Sequence, residues 1–209
     1  MRFEAAELYT GPEYEFDLVN QVNAGHPNYQ KTLKAEQEKA IINHPGWQPR
    51  QLNSLPFREA VEFTKKFQPF DPANPTSDFA REFRLAMAEN LGLEEDSDLE
   101  KLKLFTAVQS PLDAHHIDFF VTYAPKQSEE YFIGLDITKQ PKKDEPLKGA
   151  DMLIGGDIPD PSDDNFSEEN YLKIINDYAR QAVGILKDKV ARGTIIPARE
   201  TIFRPQPRP

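Results

Sequence analysis

An α/β fold with a mixed central sheet flanked by helices is predicted by three features of the chain. Two apolar runs, 117–123 and 131–138, are dense in β-branched and aromatic residues, and the stretch between them is polar with one proline. That is the pattern of a β-hairpin. Neither run alternates cleanly between apolar and polar residues, so both read as inner strands covered on two faces. On either side of the hairpin stand amphipathic helices, 77–91 and 168–190, each with an apolar stripe that needs a sheet face to bury it.

The remaining elements follow in order. Phe3 to Tyr9 reads as a short helix or an edge strand, and 14–22 has mixed spacing. The stretch 29–42 is rich in helix formers and is ended by Pro45-Gly46. Pro56 opens a second amphipathic helix that runs to Phe67, with Phe57, Val61 and Phe67 apolar. In the helix 77–91, Phe79, Phe83, Met87 and Leu91 recur every fourth residue, Thr76 or Ser77 offers the N-cap and Gly92 the C-cap. A strand at 102–108 leads through Ser110-Pro111 into the hairpin, where Tyr123 and Tyr131 form a cross-strand pair. The stretch 139–148 holds Lys139, Lys142, Lys143 and Lys148 among prolines and reads as a loop. Asp151 to Ile154 is a short strand, Ser167 caps the longest helix, Gly193 closes it, and 194–196 is a candidate last strand. The chain divides into an N-terminal helical or irregular extension (1–75), an α/β core (76–198) and a flexible proline-rich tail (199–209), whose Arg199, Arg204 and Arg208 either stay solvated or meet phosphate or an acidic partner.

Composition removes several function classes. A formal charge of −10 argues against a non-specific coat for nucleic acid, though not against an enzyme whose cleft is locally basic or bridged by divalent cations. The absence of cysteine excludes disulfides and thiolate metal sites. No apolar run approaches the length of about 18 residues that a membrane helix needs, and no leader pattern follows Met1. The expectation is a soluble, cytoplasmic protein without a membrane partner.

The chemistry lies inside the hairpin. Asp118 stands near the start of its first run and Asp136 near the end of its second, so antiparallel pairing brings both carboxylates to one end of the sheet. Burying one ionised carboxylate costs several kcal/mol unless it is paired or metal-bound, and burying two costs more. The pair points to a hard divalent cation, Mg2+ or Mn2+, because only oxygen ligands are offered. The structural alternative gives each acid a separate role, as a turn cap or an arginine partner, with the two on opposite faces if the register slips by one. His115-His116 invites a zinc reading, but a third nitrogen or sulfur ligand is lacking. Strand alternation puts His116 on the face of Asp118, where with Asp113 it either moves protons behind the ligands or is a partly buried turn histidine.

The order helix, three strands, long helix and strand, with an aspartate in the second strand and an acid in the third, resembles the core of the restriction-endonuclease-like, PD-(D/E)xK, nuclease superfamily over residues 76–196. The resemblance implies that Asp118 and Asp136 bind one or two magnesium ions, joined by a glutamate of the first helix, Glu82 or Glu89, of which Glu82 is nearer the helix start. A lysine two residues beyond the third-strand acid would position or activate the attacking water. Thr138 occupies that place. Lys139 beside it turns inward only at a bulge or strand end, and Lys142, Lys143 or Lys148 would have to reach back from the loop. The implied activity is metal-dependent hydrolysis of phosphodiester bonds in nucleic acid, with Asp118, Asp136, Lys139 and Glu82 catalytic and Asp118, Asp136 and Glu82 as metal ligands. The alternative is a catalytically inactive nuclease-like or other α/β scaffold that binds a protein partner or forms a homodimer, with the N-terminal 70 residues and the tail as its docking surface. Thr138 and the negative charge favour that alternative.

Overall fold

The hairpin forms where the apolar runs place it. In the computed structural model, which describes residues 11–49, 52–126, 128–138, 149–156, 158–161 and 163–194, β1 (Leu102–Thr106), β2 (Phe119–Lys126) and β3 (Glu129–Ile137) are antiparallel neighbours. β4 (Met152–Ile154) joins β3 in parallel, so the sheet is mixed and its order is β1-β2-β3-β4. Tyr123 lies opposite Tyr131, the cross-strand pair expected from the sequence. Phe3–Tyr9, the lysine-rich loop and the proline-rich tail lie outside the described residues, and only Thr194 of the expected last strand lies within them.

Helices cover both faces. On one side α1 (Gly11–Val19), α4 (Asp78–Leu91) and α6 (Glu168–Ala191) pack over Leu104, Phe119, Val121, Ile133 and Leu135. Phe119 meets Phe79 and Phe83 edge-on, at 6.1 and 5.6 Å between ring centres. On the other side α2 (Tyr29–Asn43) and α3 (Phe57–Lys66) cover Phe105, Phe120 and Phe132. These three rings stack across neighbouring strands at 4.8 and 5.1 Å. Full burial of one such side chain is worth about 1.5–3 kcal/mol. Residues 22–67 thus supply a whole layer of the fold, which explains why the inner strands do not alternate.

Cap residues act largely as the sequence suggests. Ser167 accepts from Asn170 N–H at the start of α6, and Gly92 ends α4 in the left-handed region at φ 72°. Ser77 occupies the N-cap position of α4, but its hydroxyl donates to Leu18 O at 2.7 Å instead of accepting from the helix. It fastens α1 to α4. The strand limits also move. β1 stops at Thr106, two residues early, because Gln109 turns left-handed at φ 63° and the chain enters a 3-10 turn, Asp113–His115. β2 starts at Phe119 because His116 leaves that turn at φ 60°. The mixed spacing at 14–22 conceals α1, whose buried stripe among the described side chains is Tyr14, Leu18 and Val19. A short helix, α5 (Asp96–Leu99), interrupts the acidic connection after α4.

Two polar devices tie the edges of the sheet. The Gln68 side chain pairs with β1 as a neighbouring strand would: Oε1 accepts from Thr106 N–H at 2.9 Å and Nε2 donates to Thr106 O at 2.9 Å. Leu104 N–H donates to Pro72 O in the same line. At the other side, Asp151 returns the chain to the sheet. Its N–H donates to Gly134 O at 2.7 Å, its carboxylate accepts from Gly134 N–H at 2.9 Å, and Lys189 of α6 pairs with it at 2.6 Å while also donating to Phe132 O. An ion pair this sheltered stabilises only when its remaining hydrogen bonds are made, as they are here.

Candidate functional site

Asp118 and Asp136 meet. Phe119 pairs with Leu135, so the preceding and following residues, Asp118 and Asp136, fall opposite each other at one end of the sheet. Asp118 is 5% exposed. Its Oδ2 accepts from Ile137 N–H at 2.6 Å, and a side-chain hydrogen bond links its carboxyl group to that of Asp136. Burial pushes the Asp118 carboxyl well above the usual carboxylate range; Glu15 and Asp136 push it further, and the Ile137 N–H opposes them. Burial also raises Asp136, against the hydrogen bond from Asp118 and the nearby His116 imidazole. The physical state is one proton held between two carboxyl groups that cannot both ionise in a dry site.

Two further acids stand in the same field. Glu15, from α1, is raised by burial and then by Asp113 and Asp136. Asp113, in the 3-10 turn, is raised by burial and by Asp136, while Gln109 N–H at 3.0 Å and His116 hold it down. Electrostatic influence therefore links four carboxyl groups, and the His116 imidazole acts on two of them, Asp113 and Asp136. His116 does not continue strand β2, so alternation does not set its direction; the left-handed residue at the end of the turn does.

Backbone strain concentrates at this end of the sheet. The non-glycine residues at positive φ among the described residues are Asn20 (61°), Gln109 (63°) and His116 (60°). Asn20 O accepts from Thr106 Oγ1 at 2.7 Å, and Thr106 is paired with Phe119, next to Asp118. Gln109 binds Asp113 through its N–H and accepts from Tyr29 Oη at 3.2 Å. Such residues cost about 1 kcal/mol or more each, and they gather where geometry serves a site.

The other expected site residues are distributed differently. Glu82 pairs with Arg81 at 3.2 Å and its charge is felt by Tyr171 of α6, whereas the helix glutamate whose charge reaches Asp118 is Glu15. Lys139 lies outside the described residues, as do Lys142, Lys143 and Lys148. Thr138 follows β3 and donates its N–H to Ile154 O at 2.9 Å. His115 is tied into the turn through Leu55 O at 2.9 Å and the edge of the Phe57 ring. Sequence reasoning missed Glu15, and its only signal was the Tyr14–Leu18 spacing that buries one side of α1. Among the described residues, no three His, Cys, Asp or Glu side chains are arranged to hold a metal ion, and no helix is long and apolar enough to cross a membrane.

The proton shared by the pair leads to a stability prediction. A carboxyl whose folded pKa is raised stabilises the fold fully below its unfolded value, about pH 4, and that contribution is lost as pH rises toward the folded value. Metal-free protein is therefore expected to lose stability steadily from about pH 4 through neutrality. Asp118→Asn keeps both hydrogen bonds, since its amide oxygen can accept from Ile137 N–H and its NH2 can donate to Asp136. The variant is expected to melt higher than the parent at neutral pH, with a flatter pH profile. A lower Tm at every pH would mean that Asp118 is an ordinary structural carboxylate.

No family model, curated protein or solved structure matches the chain.

Proposed function

We propose that the chain hydrolyses phosphodiester bonds of nucleic acid, using magnesium or manganese held by Asp118 and Asp136 on a restriction-endonuclease-like core. The observation that carries this reading is the buried carboxyl pair with Glu15 and Asp113 beside it, an arrangement that costs stability in the absence of a cation. The element order supports it: α4, β1, β2 and β3 follow in the order of the resemblance, with α5 and the 3-10 turn between them, and the aspartates belong to the second and third strands or their ends.

The donor set suits the ion. Magnesium takes one or two protein carboxylates and fills its remaining positions with water and substrate phosphate oxygens, so two aspartates suffice without a third protein ligand. Bound there, the ion would lower the pKa of a water and polarise the scissile phosphate. Asp118, fixed by the Ile137 N–H, would orient the pair, and Asp136 would present the less constrained oxygens. Glu15 takes the helix-glutamate place that the sequence assigned to Glu82. Hydrolysis would form a bond from the water oxygen to phosphorus and break the ester P–O bond, the proton of the water passing to solvent and the leaving oxygen being protonated in turn. Lys139, or a lysine of 142–148, remains the proposed group that orients the water, and the described residues on either side of that segment are held at the sheet. Thr138 N–H is fixed on β4 beside Asp136, and Gly149 lies against the carbonyl of His115.

A second reading, a scaffold that binds a protein partner or a second copy, is favoured by two exposed apolar side chains. Ile42 is 77% and Leu52 97% exposed, near the end of α2 and beyond it. The test is incubation of purified protein with plasmid, linear duplex, single-stranded DNA and RNA in Mg2+ or Mn2+, with Mn2+ titration and sizing in parallel. Cation-dependent cleavage together with Mn2+ binding is the expected result. No cleavage and no binding, with a dimer on sizing, would overturn it in favour of the scaffold.

A further inference from the structure

We propose that a groove between the C-terminal end of α4 and α5 is a docking site for the chain's own segment 199–204, with Ile202 and Phe203 on its apolar floor and Arg199 and Arg204 against its acidic border. This surface stands apart from the carboxyl cluster and takes no part in the chemistry proposed there.

The groove comes from the helix pattern. Phe79, Phe83 and Met87 turn into the core, so Leu85, two residues after Phe83, faces away and is 43% exposed. Leu85, Ala88, Leu93 and Leu99 make the floor of a groove of about 290 Å³, bordered by the exposed Glu89 and Glu94. Ordinary ligand pockets hold about 300–1,000 Å³, so this one suits one or two side chains of a short segment. Its border has one sign of charge. Glu95, Asp96, Asp98 and Glu100 follow Glu94, and the neighbouring cations are already engaged. Arg84 is buried and donates to Leu102 O and Leu99 O, Lys101 pairs with Asp98, and Lys187 donates to Asn90 O at 3.2 Å.

The chain carries the complementary pattern. Residues 199–204 read Arg-Glu-Thr-Ile-Phe-Arg, an apolar pair between arginines, with Arg208 beyond. They lie outside the described residues, but the point from which they start is fixed. The last turns of α6 run beside the end of α4: Lys187 reaches Asn90 O, two residues before Gly92 of the groove, and Thr194 N–H donates to Lys189 O just past the helix. Ile202 follows Thr194 by eight residues, a reach of up to about 26–29 Å, which is enough to round a helix about 10–12 Å across. So short a tether holds the segment at an effective concentration on the order of millimolar, and a contact of a few side chains then suffices to keep it docked.

The experiment is NMR of the full chain, the parent beside Phe203→Ala and Leu85→Ser, with trypsin cleavage after Arg199 and sizing on the same samples. NOEs are expected from the Phe203 ring to methyl groups of Leu85, Leu93 or Leu99 at dilutions where the protein is a monomer. Phe203→Ala is expected to shift the amide signals of Gly92, Leu93 and Glu94. Both variants are expected to speed cleavage after Arg199 about tenfold, the release of a segment held at millimolar effective concentration. Groove signals and a cleavage rate that are the same in the parent and Phe203→Ala would overturn the proposal. So would NOEs from the Phe203 ring to Leu153 on β4, which would place the segment at the sheet edge. Groove signals that move with Phe3→Ala instead, or NOEs present only where sizing shows a dimer, would assign the groove to the N-terminal segment or to a second copy and overturn it likewise. Phe203→Ala leaves every residue of the described core in place, so it decides the outcome if Leu85→Ser alters the fold.

Discussion

Asp136→Ala is expected to abolish cation-dependent cleavage while leaving the fold intact. Charge stabilisation by a bound cation is worth several kcal/mol of barrier, so the loss in kcat is expected to reach about 10³-fold or more. The fold survives because Asp136 stabilises little in the metal-free protein. It shares one hydrogen bond with Asp118 and otherwise adds to the negative charge around it. Alanine removes both the acceptor and the repulsion, which oppose each other. Rates in Mn2+ and circular dichroism melts on the same preparation check both halves. Undiminished cleavage would assign the activity to a different site or to a contaminant. Loss in Asp136→Ala beside full activity in Lys139→Ala would keep the metal pair and move the lysine role elsewhere.

Gly149→Ala is expected to destabilise the protein by about 2–4 kcal/mol and to lower activity without touching any residue of the carboxyl cluster. An added Cβ would stand 1.9 Å from His115 O, and the backbone there has φ +117°. The obstacle is a carbonyl, not the end of a flexible side chain. Either the segment 149–151 lifts from the sheet, loosening Asp151 from Gly134 and Lys189, or the turn bearing His115 and His116 moves. Gly46→Ala is the matched control, because it carries φ +91° with nothing within 4 Å of a Cβ. It isolates the cost of the dihedral. Denaturant unfolding of the two variants is expected to differ by the cost of the collision; equal losses would show that the contact yields freely.

The part of this molecule legible in the sequence is the part that hydrophobic periodicity governs. β2, β3, α4 and α6 lie within a few residues of their predicted limits because each carries many apolar residues with a definite repeat. The Asp118–Asp136 meeting was legible for a related reason: a short connection between two antiparallel strands leaves little freedom of register. Period fails where elements are short or turned. α1 buries only a few side chains, so Glu15 carried no visible pattern. Glu82 lies in the expected helix, yet a repeat tells which residues face the core and not which end of the sheet they approach, and Arg81 holds that carboxylate elsewhere. His116 was assigned a direction by strand alternation that the 3-10 turn interrupts before β2 begins.

The Gln68 amide on β1 has a consequence for assembly. A strand that offers its N–H and C=O row to solvent is a template for another chain, and on this side the row is already occupied by a side chain and by Pro72 O. Among the described residues β4 pairs on one side only, with β3. Growth of the sheet is therefore polar: a second copy cannot lengthen it past β1 without first displacing Gln68, and a twofold pair built by strand addition would set β4 against β4. In such a pair the two carboxyl sites would lie toward the middle of one continuous sheet, separated by β4 and its mate, rather than at its outer rims.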